Sequence, residues 1–156
     1  MIEIVKAEEK HIPEIGDLWI EFMRFHADMD SVYQPPDDSI PIFIGEYLQP
    51  AMSDKNSLVL VALDGEQIIG YSYSLITEPH KLNNREKYGS IHDMFIVSPY
   101  RRSGIGMKMF NEIIKWFTFN NIKRIELDVM TQNQTASSFW EKLGFKDLNR
   151  TIIRQI

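Results

Sequence analysis

The side chains that most clearly point to chemistry lie in the stretch VSPYRRSGIGMKMF, residues 97–110. An apolar segment ends in Ser-Pro, Arg101 and Arg102 follow, and Gly104 and Gly106 flank a single isoleucine before an apolar helical pattern begins. A glycine-rich turn that leads into a helix presents free backbone N–H groups at the positive end of the helix dipole. Glycine also lets a phosphate approach the backbone, since no Cβ stands in the way. The stretch therefore predicts an anion-binding turn, with added positive charge from the two arginines.

The common phosphate loops do not match this turn. A Walker loop ends in Gly-Lys-Ser or Gly-Lys-Thr, and that ending is absent here. A dinucleotide-binding fingerprint would place a third glycine at position 109, where this chain has Met109. The turn therefore needs another explanation, and the elements around it narrow the choice.

Hydrophobic periodicity predicts the elements that position the turn. Alternating or continuous apolar runs predict strands, and the Asp64-Gly65 pair predicts a hairpin turn between two of them. Apolar residues at helical spacing predict four helices, of which the last stops at Gly144. The predicted strands are residues 2–7, the two arms of the hairpin within 58–76, 90–97, 125–129, and a last strand or pair of strands within 145–156. The predicted helices are residues 8–27, 42–48, about 105–120 and 136–143, with a loop at 28–41.

These elements predict one α/β domain over residues 1–156. Their order is β-α-α-β-β-β-α-β-α-β, which places a mixed sheet between about four helices. A chain of this length is most simply a single domain with a substantial core.

Composition excludes several classes of protein. The absence of cysteine rules out disulfides, a thiolate metal site and a cysteine nucleophile. No run of about 18 apolar residues is present, so no segment is expected to span a bilayer. The charged start, MIEIVKAEEK, lacks the apolar stretch of a signal peptide. We therefore expect a cytoplasmic protein that does not act at a membrane.

Charge is divided unevenly along the chain. Residues 1–97 hold 17 acidic and 7 basic side chains, whereas residues 98–156 hold 5 acidic and 10 basic ones. This asymmetry indicates two faces or two ligands of opposite sign, although chance variation of surface charge is an equally good explanation at this stage. No basic cluster alternates with aromatic residues, which argues against nucleic-acid binding.

His26, Asp28 and Asp30 have metal-binding side chains, but no further residue completes a metal-ligand set, so no metal is predicted.

Two spaced motifs resemble those of the GNAT superfamily of acetyl-CoA-dependent N-acetyltransferases. The first is Arg-x-x-Gly-x-Gly, formed by Arg101, Gly104 and Gly106. The second, in NQTASSFWEKLGF about thirty residues later, is similar to the pattern Asn-x-x-Ala-x-x-Phe-Tyr-x-x-x-Gly-Phe. Its matching residues are Asn133, Ala136, Phe139, Gly144 and Phe145. The order of elements also matches the family, so the resemblance implies the GNAT fold, with a single mixed, mostly antiparallel sheet.

The resemblance implies acetyl-CoA as the co-substrate and no metal. In the family, the glycine turn wraps the CoA pyrophosphate with backbone amides, and the preceding strand pairs with the pantetheine arm. The pairing would fall to backbone groups of Phe95, Ile96 and Val97, and Asn133 would contact the cofactor from the next helix. The implied phosphate site comprises Arg101, Arg102, Ser103, Gly104, Ile105, Gly106 and Met107.

The resemblance also points to a general base on the strand before the turn. Diamine acetyltransferases of the family carry a glutamate where this chain has His92, likewise followed by an aspartate. His92 is the first candidate, because imidazole has a reference pKa of about 6.5 and works near neutrality. Asp93 is the second, since neighbours on a strand face opposite ways unless a bulge intervenes. A packing or hydrogen-bonding role for His92 remains an equal alternative.

One position departs from the family pattern. Where the family most often has a tyrosine that gives a proton to the CoA sulfur, this chain has Trp140. An indole N–H can donate a hydrogen bond but is not an acid, and Trp140 also fits an apolar helical stripe. The proton would then come from water or from another tyrosine, with Tyr71, Tyr73 and Tyr88 as candidates.

Charge predicts the acceptor. The acidic part of the chain includes the segments that cover the acceptor side in the family, and an acidic approach attracts cations. We therefore predict a small primary amine that arrives positively charged. A protein or peptide amine and a CoA-binding pseudoenzyme or sensor are the alternatives, and a homodimer is left open. The acidic residues concerned are Glu21, Asp28, Asp30, Asp37 and Asp38.

Overall fold

Five strands form one sheet whose spatial order follows the order of the chain. This computed structural model describes all residues from 1 to 156. The strands are β1 (Ile2–Lys6), β2 (Ser57–Asp64), β3 (Gln67–Thr77), β4 (Tyr88–Ile96) and β5 (Ile125–Leu127), and they lie in the order β1-β2-β3-β4-β5. The predicted hairpin turn is confirmed: it joins β2 to β3, with Gly65 at a φ of 62° that glycine adopts without strain.

Helices cover both faces of the sheet. They are α1 (Ile12–Ala27), α2 (Ser39–Ile42), α3 (Gln49–Ser53), α4 (Ile105–Phe119) and α5 (Gln134–Lys142). A π-helical turn (Phe43–Leu48) joins α2 to α3, so the helix predicted at 42–48 is part of a longer helical stretch. The predicted stop at Gly144 is confirmed by its φ of 88°, just after α5. None of these helices combines the length and the apolar character that crossing a membrane requires.

The strands pair antiparallel except at the last pair, which is parallel. β4 and β5 pair only through Gly89 with Ile125, Ser90 with Glu126, and Ile91 with Leu127. Beyond Ile91, β4 therefore keeps a partner strand on the β3 side alone, and a gap opens where β5 ends. The predicted mixed, mostly antiparallel sheet is confirmed.

The sheet has two apolar faces, which we call the α1 face and the α4 face after the helices that cover them. Along β2, Val59 and Val61 pack on the α1 face, whereas Leu58 and Leu60 pack on the α4 face. This alternation is the period of two that a strand imposes on its side chains. Because both faces are covered, β2 is almost continuously apolar.

The predicted strand or strands within residues 145–156 do not form, which corrects the predicted order at its end. The chain has no regular structure after α5, and its last eleven residues are exposed. Ile152 and Ile153 are adjacent, so their side chains could not share one face of a strand. β5 also offers an edge of only three residues to pair with.

Gly70 lies on β3 opposite Ile96 of β4, where a side chain has no room. A Cβ there would lie 2.6 Å from the Phe95 carbonyl oxygen and would collide with Ile96 Cδ1. We expect Gly70→Ala to lower the free energy of unfolding by about 1–3 kcal/mol, because the two strands must move to admit it. Urea denaturation followed by circular dichroism measures this change.

Gly45→Ala is the control for that substitution. Gly45 lies in the π-helical turn, and a Cβ there would meet nothing within 4 Å. The change should raise the free energy of unfolding by about 0.5–1 kcal/mol, since alanine restricts the unfolded chain more than glycine does. Equal stability of the two variants would contradict the close packing of β3 on β4.

Candidate active site

β4 contains a bulge where it parts from β5. Asp93 pairs with Tyr73 of β3, while Ile91 pairs with the next β3 residue, Ser74. His92 is therefore an extra residue with no partner on β3. Such a bulge shifts the alternation of side chains along the strand by one residue.

The bulge decides which face each side chain of β4 takes. Ile91, before the bulge, packs on the α4 face, and Met94 and Ile96, after it, pack there too. Phe95 packs on the α1 face, and Asp93 joins it there. In a regular strand, Ile91, Asp93 and Phe95 would all lie on the same face. The bulge instead places Ile91 on the α4 face and Asp93 on the α1 face.

Asp93 is held by a buried tyrosine. The Tyr71 hydroxyl donates to Asp93 Oδ2 at 3.0 Å, and Tyr71 itself is fully buried in the core of the α1 face. Burial raises the pKa of Asp93 to about 6, although the hydrogen bond from Tyr71 favours the carboxylate and opposes that rise. Burial, followed by the charge of Asp93, raises the pKa of Tyr71, which keeps its proton. Near pH 7, Asp93 is therefore a carboxylate whose pKa suits it to accept a proton.

His92 occupies the bulge itself. Its side chain is exposed on one side and packs against the Tyr73 ring on the other, with 5.4 Å between ring centroids. Desolvation lowers the pKa of His92, and the nearby Asp128 carboxylate, just after β5, opposes that shift. The imidazole is therefore neutral near pH 7 and could also accept a proton. The structure thus brings both predicted bases to the point where β4 and β5 part.

The free edge of β4 offers backbone groups to a ligand. The Val97 N–H donates to the Ile69 carbonyl of β3 at 3.0 Å. Backbone N–H groups alternate in direction along a strand, so that of Phe95 also turns toward β3, whereas those of Met94 and Ile96 turn toward the gap. Met94 was not among the predicted residues, because the register of a strand cannot be seen in its sequence.

The predicted phosphate turn has the backbone of an anion-binding concavity. Arg102 and Gly104 take left-handed conformations, with φ of 62° and 85°. A left-handed residue followed by right-handed helical ones makes a nest of N–H groups, and α4 begins directly afterwards with Ile105. No side chain caps this end of α4, which leaves the first helical N–H groups free. A Cβ at Gly104 would meet nothing within 4 Å, so the space before the turn is open.

The two glycines of the turn differ in backbone geometry. Gly106 has ordinary helical geometry, and a Cβ there would lie 3.4 Å from Met94 Cε and 3.5 Å from the Phe139 ring. These are ordinary van der Waals distances, so packing against α5 and β4 does not by itself require a glycine at this position. Ser103, between Arg102 and Gly104, donates its hydroxyl to the Tyr100 carbonyl at 2.5 Å and braces the turn.

Two predicted residues on α5 have clear structural roles. Asn133 caps the helix, since its Oδ1 accepts from the Ala136 N–H at 3.1 Å, and its amide nitrogen is the part left for a ligand. Trp140 is 9% exposed and packs edge-on against Phe110, Phe139 and Phe145 in the core of the α4 face.

The three tyrosines considered as proton donors are separated by the fold. Tyr88 lies at the far end of β4, stacked under the Arg85 guanidinium at 4.1 Å from the ring centroid. The hydroxyl of Tyr71 is committed to Asp93. Tyr73 is the tyrosine beside His92, and desolvation raises its pKa, which weakens it as an acid.

The side chains at the end of α1 that could bind metal are used locally. The His26 ring pairs with the Phe22 carbonyl through Nδ1 at 2.8 Å, and Asp30 accepts from the Val32 N–H at 3.0 Å. No group of three or more metal-binding side chains comes together in the structure.

Comparison with known proteins shows what the chain resembles as a whole. The family model described as "Acetyltransferase (GNAT) family" matches residues 14–145. An uncharacterized N-acetyltransferase of Archaeoglobus fulgidus is 30% identical over 150 residues, which cover 96% of this chain and 94% of that protein.

Solved structures share the fold at lower sequence identity. A four-site mutant of the BH1408 protein of Bacillus halodurans superposes with a TM-score of 0.86 at 24% identity, covering 99% of both chains. AAC(6′)-Iy, in complex with the bisubstrate analogue CoA-S-monomethyl-acetylneamine, has a TM-score of 0.76 at 16% identity, covering 100% of this chain and 98% of the other.

Gly104 tests the anion-binding turn. We expect Gly104→Ala to weaken acetyl-CoA binding at least tenfold, because a Cβ enters the open space before the turn and strains its left-handed backbone. Isothermal titration measures the affinity. Gly65→Ala is a matched control, since Gly65 is also left-handed with open space around it but lies in the β2–β3 hairpin. Equal loss of affinity in both variants would mean that strain alone, and not the turn, explains the effect.

Asp93 should reduce stability at neutral pH. Its folded-state pKa of about 6 lies above the ordinary 3.8, so its contribution is favourable at low pH and is lost as the pH rises through about 6. We expect Asp93→Asn to raise the free energy of unfolding at pH 7.5 by about 1–3 kcal/mol, with the difference vanishing near pH 4. Denaturation at several pH values measures it, with the exposed Asp147→Asn as control. A pH-independent difference would contradict the raised pKa.

Proposed function

Because this chain belongs to the acetyltransferase (GNAT) family, we propose that it acetylates a primary amine held on the α1 face beside Asp93. The family model spans most of the chain, and the chain is an acetyl-CoA-dependent N-acetyltransferase. The observation that carries the proposal for the site is the Tyr71–Asp93 hydrogen bond, placed where β4 and β5 part.

Acetyl-CoA supplies an activated acetyl group as a thioester, and the chain provides three sets of backbone and side-chain groups to hold it. The nest at Arg102 and Gly104, with the first N–H groups of α4, suits the pyrophosphate. The N–H groups of Met94 and Ile96 on the free edge of β4 suit an extended amide-bearing arm. The Asn133 amide nitrogen, at the start of α5, is a further donor.

Asp93 is proposed as the base that takes the proton from the amine. Primary alkylamines are protonated near pH 7 and must become neutral before they attack an acyl carbon. Asp93 is ionised at that pH, and its raised pKa makes it a stronger base than an exposed aspartate. The Tyr71 hydroxyl fixes the orientation of the carboxylate, so the free oxygen can receive the proton directly or through one water molecule.

His92, the first candidate from the sequence, becomes the second candidate for the base in this proposal. Its lowered pKa keeps the imidazole neutral, and its ring lies at the gap. Desolvation weakens it as a base, however, whereas the same effect strengthens Asp93. We therefore assign proton acceptance to Asp93 and propose that His92 contacts the acceptor.

The departing sulfur is proposed to take its proton from solvent. Trp140 has no acidic proton and packs in the core of the α4 face. Tyr73 has a raised pKa and is a poor acid. Loss of acid catalysis typically slows a reaction by about 10²–10⁴-fold, so transfer would be slower without being abolished.

A small cationic amine is the acceptor that we propose. The end of α1 presents a partly exposed aromatic cluster in which Phe22, Phe25 and Tyr33 each contact His26, and Phe22 also contacts Phe95. Aromatic faces attract cations, and since the Arg101 guanidinium already lies over Phe25 and Phe95, the Tyr33 ring is the face left for the amine. The exposed Glu21 and Asp28 lie on or next to the same helix and add negative charge. The bisubstrate analogue bound by the structurally similar AAC(6′)-Iy, named for its acetylneamine moiety, is consistent with an amino-sugar acceptor.

Tyr71→Phe tests the role of Asp93 by removing the hydrogen bond that favours its carboxylate. We expect the acidic limb of the pH profile of kcat/KM, set by the pKa of Asp93 near 6, to move to higher pH by about half to one unit. Asp93→Asn should lower kcat by about 10²–10⁴-fold at pH 7.5. If His92→Gln moves the limb and Tyr71→Phe does not, the imidazole is the base.

A panel of amines tests the acceptor class. We expect polyamines and amino sugars to be acetylated with a higher kcat/KM than peptides with a free N-terminus or neutral amines. That advantage should fall as salt rises, since screening weakens the attraction of an acidic face for cations. Release of free thiol from acetyl-CoA measures turnover. Preference for peptides would favour a protein N-acetyltransferase, and no turnover with any amine would favour a CoA-binding protein without catalysis.

A further inference from the structure

The side chain of Arg101 lies away from the phosphate turn that its motif implies. Its guanidinium carbon is 5.1 Å from the centroid of the Phe95 ring and 5.5 Å from that of Phe25. Phe95 belongs to the core of the α1 face, and Phe25 lies on α1. The turn, in contrast, leads into α4, which packs on the other face. Arg101 therefore reaches toward the acceptor side of the sheet.

Arg101 also closes the free edge of β4. Its Nε donates to the Ile96 carbonyl oxygen at 2.7 Å. That carbonyl faces the gap, since Val97 pairs with Ile69 of β3 and backbone groups alternate along the strand. It is the last acceptor that β4 would otherwise present to a ligand. The arginine thus occupies one end of the edge on which we place the cofactor arm.

We propose that Arg101 is a positioning residue that ties α1 to the free edge of β4 and so sets the distance between the acceptor and the cofactor arm. The proposal rests on the proposed function, because it assumes an amine on the α1 face and acetyl-CoA in the gap. One side chain makes both contacts: the Nε bond holds the strand, and the guanidinium lies over the rings of Phe25 on α1 and Phe95 on β4. A phosphate ligand would need neither contact.

Lysine distinguishes a positioning role from a phosphate-binding one. Lysine keeps the positive charge and can bind phosphate as a point charge, but it has no Nε donor in a planar group that stacks on aromatic rings. If Arg101 binds phosphate, Arg101→Lys should keep much of the affinity. If Arg101 joins α1 to β4, Arg101→Lys should lower the rate of acetyl transfer to the amine while phosphate binding persists.

The experiment compares two affinities and the kinetics of the acceptor in Arg101→Lys. The probe for the turn is ADP, which carries a pyrophosphate but lacks the pantetheine arm. We expect the ADP dissociation constant to change by less than about twofold, while kcat/KM for the best amine falls by about 10–100-fold through a misplaced acceptor. Arg24→Lys is the matched control: Arg24 is an exposed arginine next to Phe25 on α1, and its replacement should change neither quantity.

A double-mutant cycle with Phe25→Leu tests whether the two contacts act as a unit. Phe25→Leu removes one ring but leaves the Arg101–Ile96 bond, so it should also lower kcat/KM for the amine and not the affinity for ADP. The combined variant should lose no more than about the larger of the two single effects, because both remove the same connection. Additive losses would overturn the proposal.

The remaining outcomes also decide between explanations. A strong loss of ADP affinity in Arg101→Lys, with an unchanged KM for the amine, would make Arg101 a phosphate ligand and overturn the proposal. Normal turnover by Arg101→Lys would overturn it as well, while leaving the acetyltransferase function in place. Failure of the unsubstituted protein to bind ADP or acetyl-CoA would instead reject the cofactor site, and the inference with it.

Discussion

The parting of β4 from β5 after Ile91 is the constraint on which the candidate site depends. β5 has only three residues, so the second half of β4 keeps a free edge in the middle of the molecule. Backbone groups on such an edge need a partner, and an unprotected edge invites pairing with other chains. Here the free stretch is short and ends at the glycine turn, and the Arg101 side chain covers its last carbonyl. In the function that we propose, this edge takes one extended ligand whose anionic end lies in the turn.

The bulge at His92 adds a second function to the same strand. It turns Asp93 to the α1 face, where Tyr71 holds the carboxylate, without moving Ile91 from the core beneath α4. A carboxylate with a raised pKa is unfavourable for folding at neutral pH but favourable for accepting a proton. The base that we propose is thus a residue that lowers stability at neutral pH.

The helices of the two differently charged parts of the sequence lie on opposite faces of the sheet. The basic part includes the turn and α4, which suits a pyrophosphate, and the acidic part includes α1 and the segments around it. Arg101 is an exception, because it comes from the basic part but contacts the rings of Phe25 and Phe95 on the α1 face. The anionic cofactor and the cationic acceptor that we propose would need opposite electrostatic surroundings, and a sheet can provide them by separating its two faces.

The sequence by itself determined the class of the fold, the order of all elements up to α5, and the location of the glycine turn before α4. These follow from local properties: the period of the apolar residues, the Asp64-Gly65 hairpin, and glycines at positions that need left-handed backbone. Only the tertiary structure decided the bulge at His92, the bond between Tyr71 and Asp93 across 22 residues of sequence, and the direction of the Arg101 side chain. It also decided that residues after α5 form no strand, contrary to the sequence-based prediction. Each of these features depends on contacts between residues that are distant in the chain, such as the register and extent of strand pairing. Local sequence patterns do not determine those contacts.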